Sequence, residues 1–94
     1  MPTYIIEREI PGASQLTHDE LRGITTKSNE TVESLDKPYE WRHSYVAGDK
    51  IYCVHEAESA DVILEHARKG GFPANLVAEI SNCFDSTGPR ALPV

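Results

Sequence analysis

Apolar positions along this chain switch between a period of two and a period near 3.6, and the switches mark its elements. Thr3 to Ile10 is rich in β-branched and aromatic residues and closes at Pro11-Gly12, which predicts a strand. Thr17 then stands where a helix N-cap is needed, Glu20 completes a capping box, and Leu16 can staple onto Leu21. Leu21, Ile24, Ser28, Val32 and Leu35 follow at helical spacing, so a helix is expected from about His18 to Leu35, stopped by Asp36-Lys37-Pro38. Tyr39 to Ala47 and Lys50 to Ala57 read as two strands around a hairpin turn at Gly48-Asp49. Ser59 is placed to cap a second helix running to about Lys69, with Asp61 in its first turn and Arg68-Lys69 in its last, both suited to the helix dipole. Gly70-Gly71 stops it and Pro73 forbids a restart. Leu76 to Phe84 reads as the last strand, and Ser86 to Val94 as a loose tail or an arm.

The resulting order, β-α-β-β-α-β, is the α+β ferredoxin-like plan. It predicts one domain over residues 1–85 and a flexible tail over 86–94. Two helices cover only one face of a four-stranded sheet. The other face carries too much Trp, Tyr, Ile and Val to stay wet, so a homodimer packed sheet on sheet is expected. In this plan the strands holding Cys53 and Cys83 both flank the first strand, which argues against an intrachain disulfide.

At 94 residues the chain has room for a single core. A chain of this size buries only about 60–65% of its unfolded surface and gains from dimerisation. The formal net charge of −6 argues against a nucleic-acid partner, which would need clustered Lys and Arg. No apolar run approaches the roughly 20 residues of a membrane span, and the N-terminus does not read as a signal peptide. Reduced thiols and a cytoplasmic location are the expectation. There is no CxxC pair, HExxH, phosphate-cradling glycine loop or nucleophile elbow, so no organic cofactor is expected.

The chemistry concentrates between Trp41 and Val77, which holds His43, Cys53, His55 and His66. Imidazole and thiolate bind borderline and soft metals, and imidazole also serves acid–base work. His66 falls with Val62, Ile63, Ala67 and Gly70 on the packing face of the second helix. It is therefore either a core histidine hydrogen-bonded to a carbonyl or tyrosine, or a ligand or acid–base group. Trp41, His43 and Tyr45 share one face of the second strand by alternation. Which residues of the third strand they meet depends on the hairpin. A two-residue turn pairs Tyr45 with Tyr52 and His43 with Val54. A three-residue loop pairs His43 with Cys53 and Trp41 with His55, and only that register gathers His43, Cys53 and His55 on one face. Glu7 and Glu9 share a face of the first strand, which is therefore expected to be wet, liganded, or paired through Glu7 or Glu9 with Arg42. His18 is expected to be solvated and Cys83 to be a small filler.

Several blocks resemble a family of small bacterial proteins, a domain of unknown function that includes nickel-binding ferredoxin-like members. They are Tyr4-Ile5-Ile6-Glu7-Arg8-Glu9-Ile10-Pro11-Gly12, Trp41 with Ser44-Tyr45-Val46, Asp49-Lys50-Ile51-Tyr52-Cys53-Val54, and His66 through Asn75 in HARKGGFPAN. The resemblance implies a ferredoxin-like dimer that binds divalent nickel, with metal sequestration as its role and no established enzyme activity. Cys53 and His66 lie inside the resembling blocks. With His43, His55 and Glu7 they form the candidate ligand set. The alternative is a small-molecule binder or cofactor-independent enzyme with a pocket between sheet and helices, in which His66, with Tyr45 as a second candidate, supplies the acid–base group.

Overall fold

In the computed structural model, which describes residues 1–92, four antiparallel strands form one sheet with two helices on one face. The elements are β1 (Thr3–Glu9), α1 (His18–Leu35), β2 (Tyr39–Ala47), β3 (Lys50–Ala57), α2 (Ala60–Gly70) and β4 (Leu76–Glu79), in sheet order β2-β3-β1-β4. This is the ferredoxin-like arrangement expected from the hydrophobic periods. A short 3-10 turn, Ala13–Gln15, leads into α1.

The caps show why the helices begin and end where they do. Thr17 and Glu20 exchange both bonds of the capping box, at 3.1 and 3.0 Å. Ser59 sits at the N-cap of α2 in extended backbone, but its hydroxyl makes no capping bond. Gly71 ends α2 in the left-handed region, φ 71°, which a side chain would strain. Gly70 is needed for a different reason: a Cβ there would overlap the Phe72 ring, which folds back against the end of the helix.

The β2–β3 hairpin contains both registers that the sequence left open. Near the turn Tyr45 pairs with Tyr52 and His43 with Val54, but beyond an irregularity at Arg42 the pairing becomes Trp41 with His55. Arg42 is the extra residue of a β-bulge, and an extra residue turns the following side chains to the opposite face. Trp41 therefore faces the helices, while His43 and Tyr45 remain on the other side. The expectation that all three share a face fails for this reason.

The core lies between helices and sheet, around Ile6, Leu35, Ala57, Val62 and Ile63. The sheet ends sooner than expected at β4. The following chain forms a separate two-stranded ribbon, β5 (Cys83–Asp85) and β6 (Gly88–Arg90), where the sequence suggested a longer strand and a tail. Part of the expected tail, residues 93–94, lies outside the described residues.

Gly70→Ala tests the close approach of Phe72 to α2. It should destabilise the fold by about 1–3 kcal/mol through overpacking. In urea unfolding the midpoint should fall, and Phe72→Leu placed in the Gly70→Ala background should recover part of the loss.

Candidate functional site

Alternation along β1 and β3 turns Tyr4, Ile6 and Arg8, and Ile51, Cys53, His55 and Ala57, toward the helices. Helix α2 adds His66 and α1 adds Ser28, both from their packing stripes. The loop after α2 brings Phe72. Between them lies a cavity of about 250 Å³, whose polar wall includes Arg8, Ser44, Cys53, His55 and His66. Leu21, Ile24 and Val46 supply much of its apolar wall.

Two imidazoles form the inner end. His55 and His66 are each 1% exposed, and their ring centroids are 5.5 Å apart in an edge-on arrangement. His55 Nδ1 is hydrogen-bonded to the Tyr39 hydroxyl. His66 Nε2 lies 3.0 Å from Ser28 Oγ. The Tyr39 ring stacks on His66 at 5.0 Å, and the Phe72 ring does so at 5.5 Å. The remaining nitrogens, His55 Nε2 and His66 Nδ1, are buried and have no partner among the described residues. Burial pushes His55 down to about 3, with the Arg8 guanidinium and His66 acting in the same direction. Burial, then Arg8, pushes His66 down to about 4, against the Ser28 backbone, which pulls it up. Both rings are therefore neutral at pH 7. Burial raises the Tyr39 hydroxyl well above its ordinary range, so it keeps its proton.

A second polar chain runs along the sheet. Trp41 Nε1 donates to Ser44 Oγ at 2.9 Å, and Ser44 Oγ donates to Cys53 Sγ at 3.0 Å. Arg8 Nε also donates to Cys53 Sγ, at 3.4 Å, while its Nη1 donates to the Pro73 carbonyl at 2.7 Å. The Arg8 guanidinium carbon lies 5.5 Å from the centre of the Phe72 ring. The bulge at Arg42 makes this chain possible, because it puts Trp41 and Ser44 on the same face.

Of the candidate ligands, Cys53, His55 and His66 come together on the cavity side. His43 and Glu7 do not join them. His43 is exposed on the other face beside Tyr45, with ring centroids 5.1 Å apart. Glu7 is paired with Lys50 at 2.9 Å and accepts from the Tyr52 hydroxyl at 3.3 Å. Arg42 pairs instead with Glu56. Tyr45 is 60% exposed and lies away from the cavity. Among the described residues, no group of three or more His, Cys, Asp or Glu side chains is placed to hold a metal.

Sequence reasoning passed over Arg8, Tyr39, Ser44 and Phe72. Arg8 carried a usable signal: it is in phase with Tyr4 and Ile6 on a central strand, so it had to be buried. Ser28 stood in the apolar stripe of α1, where a hydroxyl needs a partner.

Comparison with known proteins agrees with this architecture. Residues 4–80 match the family described as nickel responsive protein SCO4226-like, and the chain belongs to that family. The crystal structure of SCO4226 from Streptomyces coelicolor A3(2) superposes with a TM-score of 0.68, over 84% of this chain and 95% of that one. At 20% identity the likeness extends to the fold alone. A comparison with curated proteins finds no match. No helix among the described residues is long and apolar enough to cross a membrane.

The buried imidazoles make stability depend on pH in a definite direction. In the unfolded chain they protonate near 6.5, but in the fold only near 3 and 4. Between those limits the unfolded state binds more protons, so stability is fully present above about pH 6.5 and is lost as pH falls toward 4 and 3. The slope approaches about 1.4 kcal/mol per pH unit for each histidine. Urea midpoints between pH 6.5 and 5, above the main carboxylate range, should show this fall. His66→Gln should reduce the slope by about half.

Proposed function

We propose that this member of the nickel-responsive family is a small-ligand-binding protein and that the cavity between helices and sheet is its binding site. The observation that carries this reading is the pair of buried imidazole nitrogens, His55 Nε2 and His66 Nδ1, left without partners. An unmet buried hydrogen-bonding group costs on the order of 1–3 kcal/mol. Both rings line the cavity, so a bound ligand can offset that cost. The site suits binding better than turnover. A histidine depressed to about 4 is a weak general base at neutral pH, and Tyr45 lies on the wrong face. Free Cys53 and Cys83 fit a reducing, cytoplasmic setting.

Family membership carries a second reading, divalent nickel binding with sequestration as its role. Neutral imidazoles and a thiol in the cavity favour it, since ligation requires unprotonated nitrogen. The buried Arg8 guanidinium on the same wall opposes a dication. Exposed His43 is the better nickel ligand. It lies on the sheet face where Tyr45 and Tyr52 invite a second copy, so a sheet-on-sheet dimer would bring two His43 side chains to one interface.

Two measurements separate the readings. Val46→Trp puts a bulky ring at the partly exposed rim of the cavity. It should abolish the thermal shift given by small apolar probes such as benzyl alcohol, with the melting curve of the free protein kept; an unchanged probe response would remove the cavity reading. Sedimentation should show a dimer that Tyr45→Asp dissociates, and calorimetry should show nickel uptake that His43→Ala removes. Nickel uptake lost in His66→Gln but retained in His43→Ala would move the metal into the cavity.

A further inference from the structure

Arg8 poses a separate question. Its side chain is buried, with 4% of the residue exposed, on the central strand β1. A buried charge is ordinarily paired with its opposite. Here no carboxylate lies within ion-pair distance of it among the described residues, whose five ion pairs all use other cations. The neighbouring Glu7 and Glu9 alternate to the opposite face of the sheet, and Glu7 is already held by Lys50. Arg8 is positioned by neutral groups only, the Pro73 carbonyl, Cys53 Sγ and the Phe72 ring. These bonds occupy Nε and Nη1. They leave donors of the five-donor guanidinium fork without a protein acceptor.

Two neutral imidazoles stand on the same cavity wall. His55, bonded to Tyr39 through Nδ1, has no partner at Nε2 among the described residues. His66, with Nε2 3.0 Å from Ser28 Oγ, has none at Nδ1. The site thus holds one fixed cation and no carboxylate, inside walls supplied by Leu21, Ile24, Val46 and Phe72.

We propose that the cavity binds an apolar monocarboxylate, an aryl or short alkyl acid, whose carboxylate is held by Arg8. This rests on the cavity being a binding site and adds the class of ligand. The 250 Å³ of space admits roughly ten non-hydrogen atoms, at a little under the ~30 Å³ that a water occupies. That size suits phenylacetate or hexanoate and is too small for a nucleotide. A planar fork is matched to a carboxylate, and the apolar walls leave one polar end to the ligand.

The test compares isosteres on the unaltered chain by calorimetry: phenylacetate, its neutral amide 2-phenylacetamide, and 2-phenylethanol. Phenylacetate should bind at least ten-fold more tightly than either neutral compound. Arg8→Gln should remove that preference while neutral binding persists, and Arg8→Lys should keep part of it. Equal binding of all three would overturn the carboxylate assignment and leave the cavity reading standing. Binding of none of them, nor of hexanoate or benzyl alcohol, would overturn both. Preference for phenylacetate that survives in folded Arg8→Gln would place the anion site elsewhere and refute the proposal.

Discussion

The structure depends on keeping two imidazoles neutral inside a small core. The largest fully buried side chains are Ile6, Ile63, His55 and His66, so half of the most deeply buried bulk is polar. A ring in such a place stays only if at least one nitrogen is satisfied and the charge is suppressed. Both conditions recruit distant parts of the chain. Tyr39, at the start of β2, is bonded to His55 and stacked on His66. Ser28, in the middle of α1, reaches His66 across the helix pair. The histidine pair therefore ties α1, α2, β2 and β3 together at one point. That tie is polar and directional, which fixes the helices on the sheet more closely than apolar contact alone.

Two local departures from regular geometry build the rest of the site around that pair. The bulge at Arg42 rotates Trp41 inward and so completes the chain from Trp41 through Ser44 to Cys53. The glycine pair ending α2 lets Phe72 lie flat on His66 while presenting its other surroundings to Arg8 and Lys27. Neither feature adds to the core's apolar bulk. Each places an aromatic ring against the polar groups of the cavity, where a regular strand or a longer helix could not.

The fold was legible in the sequence because its signals are local and repeat. Thr17 and Glu20 mark the start of α1, the Gly48-Asp49 turn sets the hairpin, and the 3.6 period assigns His66 to the buried face of α2. The bulge was not legible, because one inserted residue leaves the alternation intact on either side of it. The two registers drawn from the hairpin were posed as rivals, and the chain uses one on each side of Arg42. Arg8 was hidden by its sequence neighbours. Glu7 and Glu9 made β1 look like a strand with a wet acidic face, although the phase shared with Tyr4 and Ile6 assigned Arg8 to the core. The C-terminal end of the chain carried little periodic signal, which is why β5 and β6 were missed.

Electrostatics then sorts the ligands that the cavity can hold. At a separation of about 5 Å and an effective dielectric of about 20, a unit charge interacts with a fixed guanidinium by about 3 kcal/mol. The sign is favourable for a carboxylate and unfavourable, at twice the size, for a dication. The depressed histidines report the same field: Arg8 is the second cause of both shifts after burial, so the cavity already resists added positive charge. Proton and nickel ion meet the same opposition there. His43 lies on the far face of the sheet, away from Arg8. On the proposed readings the two ligands therefore use opposite faces, an organic anion beside Arg8 and nickel at His43.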